Sequence, residues 1–263
     1  MHACGRKRFP LQACGMKPFA LVALVVLFPV MARADGGSTN VPADTLIAQV
    51  VANRPTKDFS LKARLFVTRE DVVPVEVLVK NSKTETRTIY RNDKTQLLVI
   101  QPVHGEPRYF LRGVGELTGE QRMSRLLGSQ FNYYDLGMPF LQWPNPKLLG
   151  EERTRGRDCY VVEVSATNQP YASGRIWIDK EYVAPLRTEA FDADARLVKR
   201  FEITSFKRLG EIWIPRGIEI ASRPPGQALP AEERSRLEIF EGNYDSQLSS
   251  DWFTPEKFTA SAR

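Results

Sequence analysis

The 263-residue sequence carries 37 Lys and Arg residues against 31 Asp and Glu residues, a formal net charge of +6. Five of the basic residues and none of the acidic residues lie in the first 34 positions, so the rest of the chain has 32 basic and 31 acidic residues. This near-neutral balance argues against a nucleic-acid partner, which would favour a strongly basic surface.

The first 34 residues have the three parts of an export signal. A basic start is followed by the apolar run 19–31 and then by Ala32-Arg33-Ala34, a small-x-small cleavage pattern. The run is too short for a transmembrane helix, which needs about 20 apolar residues. We therefore expect residues 1–34 to be a signal peptide and the mature protein to be soluble and to work outside the cytoplasm. Met16 is an alternative start codon, because the sequence after it is a complete signal by itself.

Cysteine usage predicts that the mature protein depends on a hydrophobic core. Cys4 and Cys14 fall in the signal peptide, which leaves Cys159 alone, and one cysteine cannot form an internal disulfide. Residues 35–263 are long enough for one β domain, since sandwiches and barrels reach roughly 200–250 residues. No repeat or low-complexity tract divides them, so we predict a single domain. We also expect the protein to be a monomer.

The mature chain begins with a helix and continues as a series of strands. Residues 42–54 have a helical period that Pro55 ends, and from Phe59 onward the period changes to two, as in strands with one buried face. Turn signals such as Asn92-Asp93 separate the strands, which favours an antiparallel meander. About twelve strands are predicted, at 59–67, 73–80, 84–91, 95–101, 107–112, 147–154, 157–166, 173–179, 184–191, 196–206, 211–222 and 234–244.

Residues 118–143 interrupt the series of strands. The stretch 118–121 (TGEQ) is a capping-box sequence, which predicts a short helix ending at Gly128. Residues 131–143 (FNYYDLGMPFLQW) are rich in aromatic and large apolar side chains, and Pro139 prevents a long helix there. We predict one or two helical turns inside an apolar loop.

Side chains with catalytic chemistry are scarce in the mature chain. Its one histidine, His104, stands in a turn, and neither His104 nor Cys159 has a partner at a suitable spacing. Zinc, EF-hand and P-loop motifs are absent from the sequence, and Asp192 with Asp194 fits a hairpin turn better than a calcium site. We expect no catalytic residue, no metal and no cofactor.

A long antiparallel sheet with only two short segments to cover it predicts an apolar space on one face. Such a space either binds an apolar ligand or is filled by side chains, and the pattern supports both interpretations equally. Trp177 and Trp213 each stand between two isoleucines, so alternation does not decide which face they take. The residues expected to line the space are Leu65, Val77, Phe131, Tyr134, Leu136, Met138, Phe140, Trp177, Phe201 and Trp213.

Several stretches resemble the outer-membrane lipoprotein-sorting proteins of the LolA-like superfamily. They are 127–136 (LGSQFNYYDL), 175–179 (RIWID) with 183–187 (VAPLR), 206–207 (FK) with 212–215 (IWIP), and 253–255 (FTP). In the first stretch the marks of the family are Ser129, Phe131, Tyr134, Asp135 and Leu136. The order of elements, a short helix, a meander, an aromatic-rich insert and a second meander, is also similar, and the resemblance covers residues 42–258.

The resemblance implies a mainly β fold, in which a curved antiparallel sheet forms a half-closed barrel with short α-helical lids. It implies an acyl-chain site on the concave face, hence a periplasmic carrier or binding protein for lipoproteins or lipids that works without catalysis. An inner-membrane exporter or an outer-membrane acceptor would be its protein partner. Two alternatives stay open: an envelope interaction or sensor module that partners a lipid exporter or stress regulator, and a periplasmic hydrolase that uses Asp135 beside Tyr133 and Tyr134.

The export signal gives a first testable prediction. N-terminal sequencing of the protein purified from its own cells should begin near Asp35, because the cleavage pattern ends at Ala34. A full-length chain that is extracted only with membranes would contradict it.

Overall fold

The computed structural model describes residues 41–223 and 233–260. The predicted signal peptide and most of the Pro-rich loop after the twelfth strand lie outside these residues. Two short α-helices are present, α1 (Ala43–Ala52) and α2 (Pro255–Thr259). The strands are β1 (Phe59–Phe66), β2 (Val72–Asn81), β3 (Glu85–Arg91), β4 (Gln96–Pro102), β5 (Arg108–Leu111), β6 (Gly115–Glu116), β7 (Lys147–Thr154), β8 (Arg157–Ser165), β9 (Ser173–Asp179), β10 (Pro185–Phe191), β11 (Leu197–Leu209), β12 (Ile212–Ser222) and β13 (Glu233–Tyr244).

All thirteen strands belong to one antiparallel sheet, in the order β6-β5-β4-β3-β2-β1-β13-β12-β11-β10-β9-β8-β7. Two meanders, β1 to β6 and β7 to β13, are joined where β1 pairs with β13. The two edge strands, β6 and β7, are consecutive in the chain and are not paired with each other in the described residues. The segment between them must therefore run from one edge of the sheet to the other. We call this segment, residues 117–146, the insert.

The mainly β, antiparallel and incompletely closed architecture confirms the predicted fold class. The prediction of one or two helical turns in residues 131–143 is confirmed by Tyr134–Gly137 and Pro139–Gln142. These are 3₁₀ turns, as are Gly119–Met123 and Leu126–Gly128, and the insert contains no α-helix. Leu127 and Met138 adopt left-handed backbone angles, with φ of 52° and 47°, and such residues cannot continue a right-handed helix.

Helix α1 connects the two halves of the sheet across its open side. Its buried residues belong to the main hydrophobic cluster. At its end, Arg54 donates to the carbonyl oxygens of Gln101 and Pro102 at 3.1 and 3.0 Å, while Asn53 donates to the carbonyl of Tyr182 at 3.2 Å. Since β4 lies in one meander and the β9–β10 turn in the other, these contacts hold the meanders at a fixed separation.

The two faces of the sheet are covered differently. The inner face, which we define as the face that carries α1 and the insert, holds the main cluster. The outer face is covered near β2 to β5 by the C-terminal segment, where Phe253 and Phe258 pack against Leu78, Leu98 and other residues of these strands. This explains the apolar run of β4, because Leu97 and Val99 face inward while Leu98 and Ile100 face outward. Among the described residues, no helix is long and apolar enough to cross a bilayer.

The C-terminal cover leads to a prediction about stability. Phe253→Ala should lower the free energy of unfolding by about 3–5 kcal/mol, because the ring is fully buried under the outer face. The neighbouring Trp252 is 48% exposed and touches the sheet through a cation–π contact with Arg91, so Trp252→Ala should cost only about 1 kcal/mol. Urea unfolding of both variants measures the difference, and equal losses would show that the segment does not cover a core.

Candidate functional site

The insert fills the inner face of the sheet. Every large side chain that the sequence predicted for the insert is buried, and all of them join the main cluster together with three residues of the facing strands. The residues brought together are Phe131, Tyr134, Leu136, Met138 and Phe140 from the insert, with Leu65, Val77 and Phe201 from the sheet. The ring of Phe131 meets that of Phe201 edge to face, with 6.1 Å between centroids.

The two tryptophans predicted for this space do not join it. Trp177 lies on the outer face beside Cys159, and its Nε1 donates to Glu152 Oε2 at 2.8 Å. Trp213 is half-buried and alternates with Ile212 and Ile214, whose side chains belong to the main cluster. In both strands the isoleucines on either side of the tryptophan face the insert. The prediction that Trp177 and Trp213 face the insert was therefore wrong.

A buried ion pair fastens the insert to β11. Lys199 Nζ lies 2.6 Å from Asp135 Oδ2, and the two side chains are only 10% and 6% exposed. The same carboxylate accepts from the Tyr171 hydroxyl at 3.0 Å and from the Asn132 backbone at 2.9 Å. Burial and the nearby Asp135 charge raise the pKa of Tyr171 well above its usual value, so its hydroxyl stays a donor at neutral pH. We call Asp135, Lys199 and Tyr171 the latch.

Strands β4 and β5 hold the insert at a second place. Tyr109 donates its buried hydroxyl to the Tyr134 carbonyl at 2.9 Å, and Gln101 Nε2 donates to the Gly137 carbonyl at 2.8 Å. A β-carbon on Gly137 would collide with the Tyr109 hydroxyl, so only glycine permits this close approach.

A third contact joins the insert to β13. The Gln130 backbone donates to Ser235 Oγ at 3.0 Å, and the Ser235 hydroxyl in turn donates to the Val67 carbonyl at 2.8 Å. The Gln130 side chain also donates to Glu233 at 2.7 Å. The insert is thus held by polar contacts to both meanders, while its apolar side chains occupy the space between them.

The space left inside is small. A cavity of about 20 Å³ lies beside the latch, which is room for about one water molecule. Its walls are Asp135, Met138, Phe140, Thr188, Ala190, Lys199, Phe201 and Ile220. Of the two interpretations of the apolar space, the structure describes the filled one, and an acyl chain would enter only if part of the insert moved.

A larger pocket of about 160 Å³ lies where the insert meets the β4–β5 and β8–β9 loops. Its walls include Tyr109, Arg122, Tyr134, Gln142 and Trp143. The Tyr134 hydroxyl donates to Gln169 Oε1 at 2.7 Å, and Gln169 donates to Glu106 at 2.7 Å. Sequence reasoning missed the hydrogen bonds of Tyr134, Gln169 and Glu106 and those of the latch, because the bonded residues lie 35 to 64 positions apart in the chain.

Two of the residues weighed for catalysis, His104 and Cys159, stand apart from the insert. His104 is exposed in the β4–β5 loop. Cys159 is buried on the outer face, and burial raises its pKa to about 11, so the thiol is protonated at neutral pH and is a poor nucleophile. Asp192 accepts from the backbones of Asp194 and Arg196, as a hairpin turn requires. Over the part of the chain that the structure describes, no three potential metal ligands cluster.

Comparison with known families adds a sequence match to this geometry. A family model described as "Uncharacterized protein" matches residues 110–260, more than half of the chain. The chain belongs to this family. The match includes the insert and every strand from β6 to β13. No curated protein matches the sequence.

Solved structures identify the fold of this family member. It is similar to an outer membrane lipoprotein-sorting protein domain from Vibrio parahaemolyticus, with a TM-score of 0.68, 17% identity and coverage of 81% of this chain and 97% of the other. A DUF1329 family protein from Desulfovibrio piger is similar with a TM-score of 0.63 and 19% identity, over 82% of this chain and 98% of the other. A LolA superfamily protein from Nitrosomonas europaea is similar with a TM-score of 0.56 and 18% identity, over 82% of this chain and 99% of the other. The fold is therefore LolA-like.

The latch gives a prediction about stability. Lys199→Met should cost about 3–5 kcal/mol of unfolding free energy, because it leaves a buried carboxylate without its cation. Asp135→Asn combined with Lys199→Met should cost much less, since both charges are then absent.

The exposed pair Lys62–Glu241 is a matched control. Its members are 2.9 Å apart and 58% exposed, so Lys62→Met should leave the free energy of unfolding almost unchanged. Chemical unfolding measures these three variants together with Asp135→Asn alone. Additive losses at Asp135 and Lys199 would mean that the two charges do not interact.

Proposed function

We propose that this protein is a periplasmic binding or carrier protein for the acyl chains of lipoproteins or lipids, and that it acts without catalysis. The observation that carries the proposal is the insert: a separate chain segment, held by polar contacts, occupies the apolar inner face. An acyl chain takes the place of its side chains when it moves away. The LolA-like fold supports the proposal through the lipoprotein-sorting domain that it resembles.

Such an exchange replaces the burial of the apolar side chains of the insert with the burial of an acyl chain. Burial of one CH₂ group contributes about 0.8 kcal/mol, so a long acyl chain gains on the order of 10 kcal/mol before the entropy loss is counted. Displacement of the insert breaks hydrogen bonds that water can replace, and each of these contributes only about 1 kcal/mol net. The apolar surface of the sheet remains covered throughout, by the insert in one state and by the ligand in the other.

The local structure of the insert suits this movement. It contains short 3₁₀ turns, whose hydrogen bonds have poorer geometry than those of an α-helix, and it pairs with no strand of the sheet. Residues without a regular hydrogen-bond ladder open at lower free energy than the strands below them. The sheet and α1 therefore form the fixed part of the site, and the insert forms the movable part.

A carrier of this kind receives its cargo from one membrane and delivers it to another. An inner-membrane exporter and an outer-membrane acceptor are the corresponding partners. Monomeric protein suffices, because the insert and both meanders that hold it belong to one chain.

Native mass spectrometry tests the proposal directly. Protein purified from the envelope of its own cells should carry a lipid or acylated peptide, and the emptied protein should bind a fluorescent fatty-acyl probe. Protein that neither co-purifies with such a molecule nor binds the probe would overturn the proposal.

Displacement of the insert makes a further prediction. Phe140→Ala should tighten probe binding by about tenfold or more, because loss of the ring weakens the closed state and raises the fraction of open protein. Phe253→Ala removes an equally buried ring from the outer face and should lower stability without changing probe affinity. Fluorescence titration and thermal unfolding of both variants give the answer, and unchanged affinity in Phe140→Ala would argue for a permanently closed core.

A further inference from the structure

Lys199 is a charged side chain in apolar surroundings. It extends from β11 on the inner face, where it shares the small cavity with Phe201 and Ile220. Its Nζ lies 6.0 Å from the Tyr171 ring and is bonded to the carboxylate of Asp135. Neighbouring Arg200 pairs with Glu189 instead, and Glu189 also pairs with Arg187. The Asp135 carboxylate is therefore the anion that the Lys199 cation faces.

Movement of the insert would separate this pair. Asp135 belongs to the insert, whereas Lys199 belongs to a central strand of the sheet. If the insert leaves, the ammonium group stays behind among apolar side chains without a counter-charge, which is strongly unfavourable. A ligand with an uncharged head would leave this cost in place. A ligand with an anionic head would remove it.

We propose that the inner face takes an anionic amphiphile, an acyl chain that bears a carboxylate or phosphate group, and that Lys199 binds this group in the place of the Asp135 carboxylate. The inference rests on the proposed displacement of the insert. Tyr171 supplies a second donor, since its hydroxyl is freed when Asp135 departs. The Asp135 carboxylate is thus an intramolecular substitute for the head group of the ligand.

The test compares two fluorescent probes with the same acyl chain, cis-parinaric acid, whose head is a carboxylate, and its uncharged methyl ester. Wild-type protein should bind the acid about tenfold or more tightly than the ester, as a charge-assisted hydrogen bond in a buried site implies. Sodium acetate and inorganic phosphate, which lack a chain, should not displace the acid at millimolar concentration. Displacement by either would mean that the site binds a free anion and not an amphiphile, and would overturn the proposal.

Two variants isolate Lys199. Both carry Asp135→Asn, which removes the negative charge and keeps one of the two acceptor oxygens that Tyr171 and the Asn132 backbone use, and one of them also carries Lys199→Met. Asp135→Asn alone should prefer the acid at least as strongly as the wild type does, whereas the double variant should bind acid and ester equally. Asp135→Asn combined with Lys199→Arg should restore the preference.

The outcomes separate this inference from the proposed function. If acid and ester both bind but with equal affinity in the wild type, acyl binding stands and the role of Lys199 is wrong. The same holds if the preference survives Lys199→Met. If neither probe binds, the proposed function itself fails. Because the wild-type comparison needs no substitution, the inference can be refuted even if a variant does not fold.

Discussion

The connection between the two edge strands is the constraint on which the rest of the structure depends. Strands β6 and β7 follow each other in the chain but lie at opposite edges of a thirteen-stranded sheet. The thirty residues between them have to cross the inner face, and they must be apolar where they touch it. The aromatic composition of the insert, its burial and the lack of open space beneath it all follow from this crossing.

The crossing also explains why polar contacts concentrate at the insert. A segment without strand pairing must satisfy its backbone groups in other ways, and here side chains of the sheet do so: Tyr109 and Gln101 donate to two of its carbonyls. The ion pair between Asp135 and Lys199 adds a contact whose strength depends on both charges staying together. For the proposed displacement of the insert, such contacts favour two discrete arrangements, docked and displaced, over a continuous range.

The sequence predicted the parts of this structure that arise from local patterns. Period-two alternation located twelve of the thirteen strands to within a few residues, because each of these has one face on the main cluster, and the helical period located α1. The two-residue strand β6 is too short to show a period and was not predicted. The insert was recognisable by its aromatic content and prolines, and its resemblance to LolA-like proteins supplied the fold. The faces of Trp177 and Trp213 were not predictable, because apolar residues stand on both sides of each.

Contacts between distant residues were equally out of reach. Nothing in the sequence near Asp135 indicates that Lys199, 64 residues later, supplies its counter-charge. The outer cover formed by Phe253 and Phe258 was missed for the same reason, since a short terminal segment does not show which face of a sheet it will meet. In each case the sequence shows the chemistry of a side chain, and only the sheet order brings the partners together.

Hydrogen exchange followed by mass spectrometry, with and without a saturating fatty-acyl ligand, tests most directly whether the insert gives way to an acyl chain. The account predicts that amides of residues 119–143 exchange faster in the complex, because the turns leave their partners on β4, β11 and β13. Amides of the central strands β1, β12 and β13 should keep or increase their protection. Uniformly slower exchange that includes the insert would contradict the account, because the ligand would then bind with the insert in place.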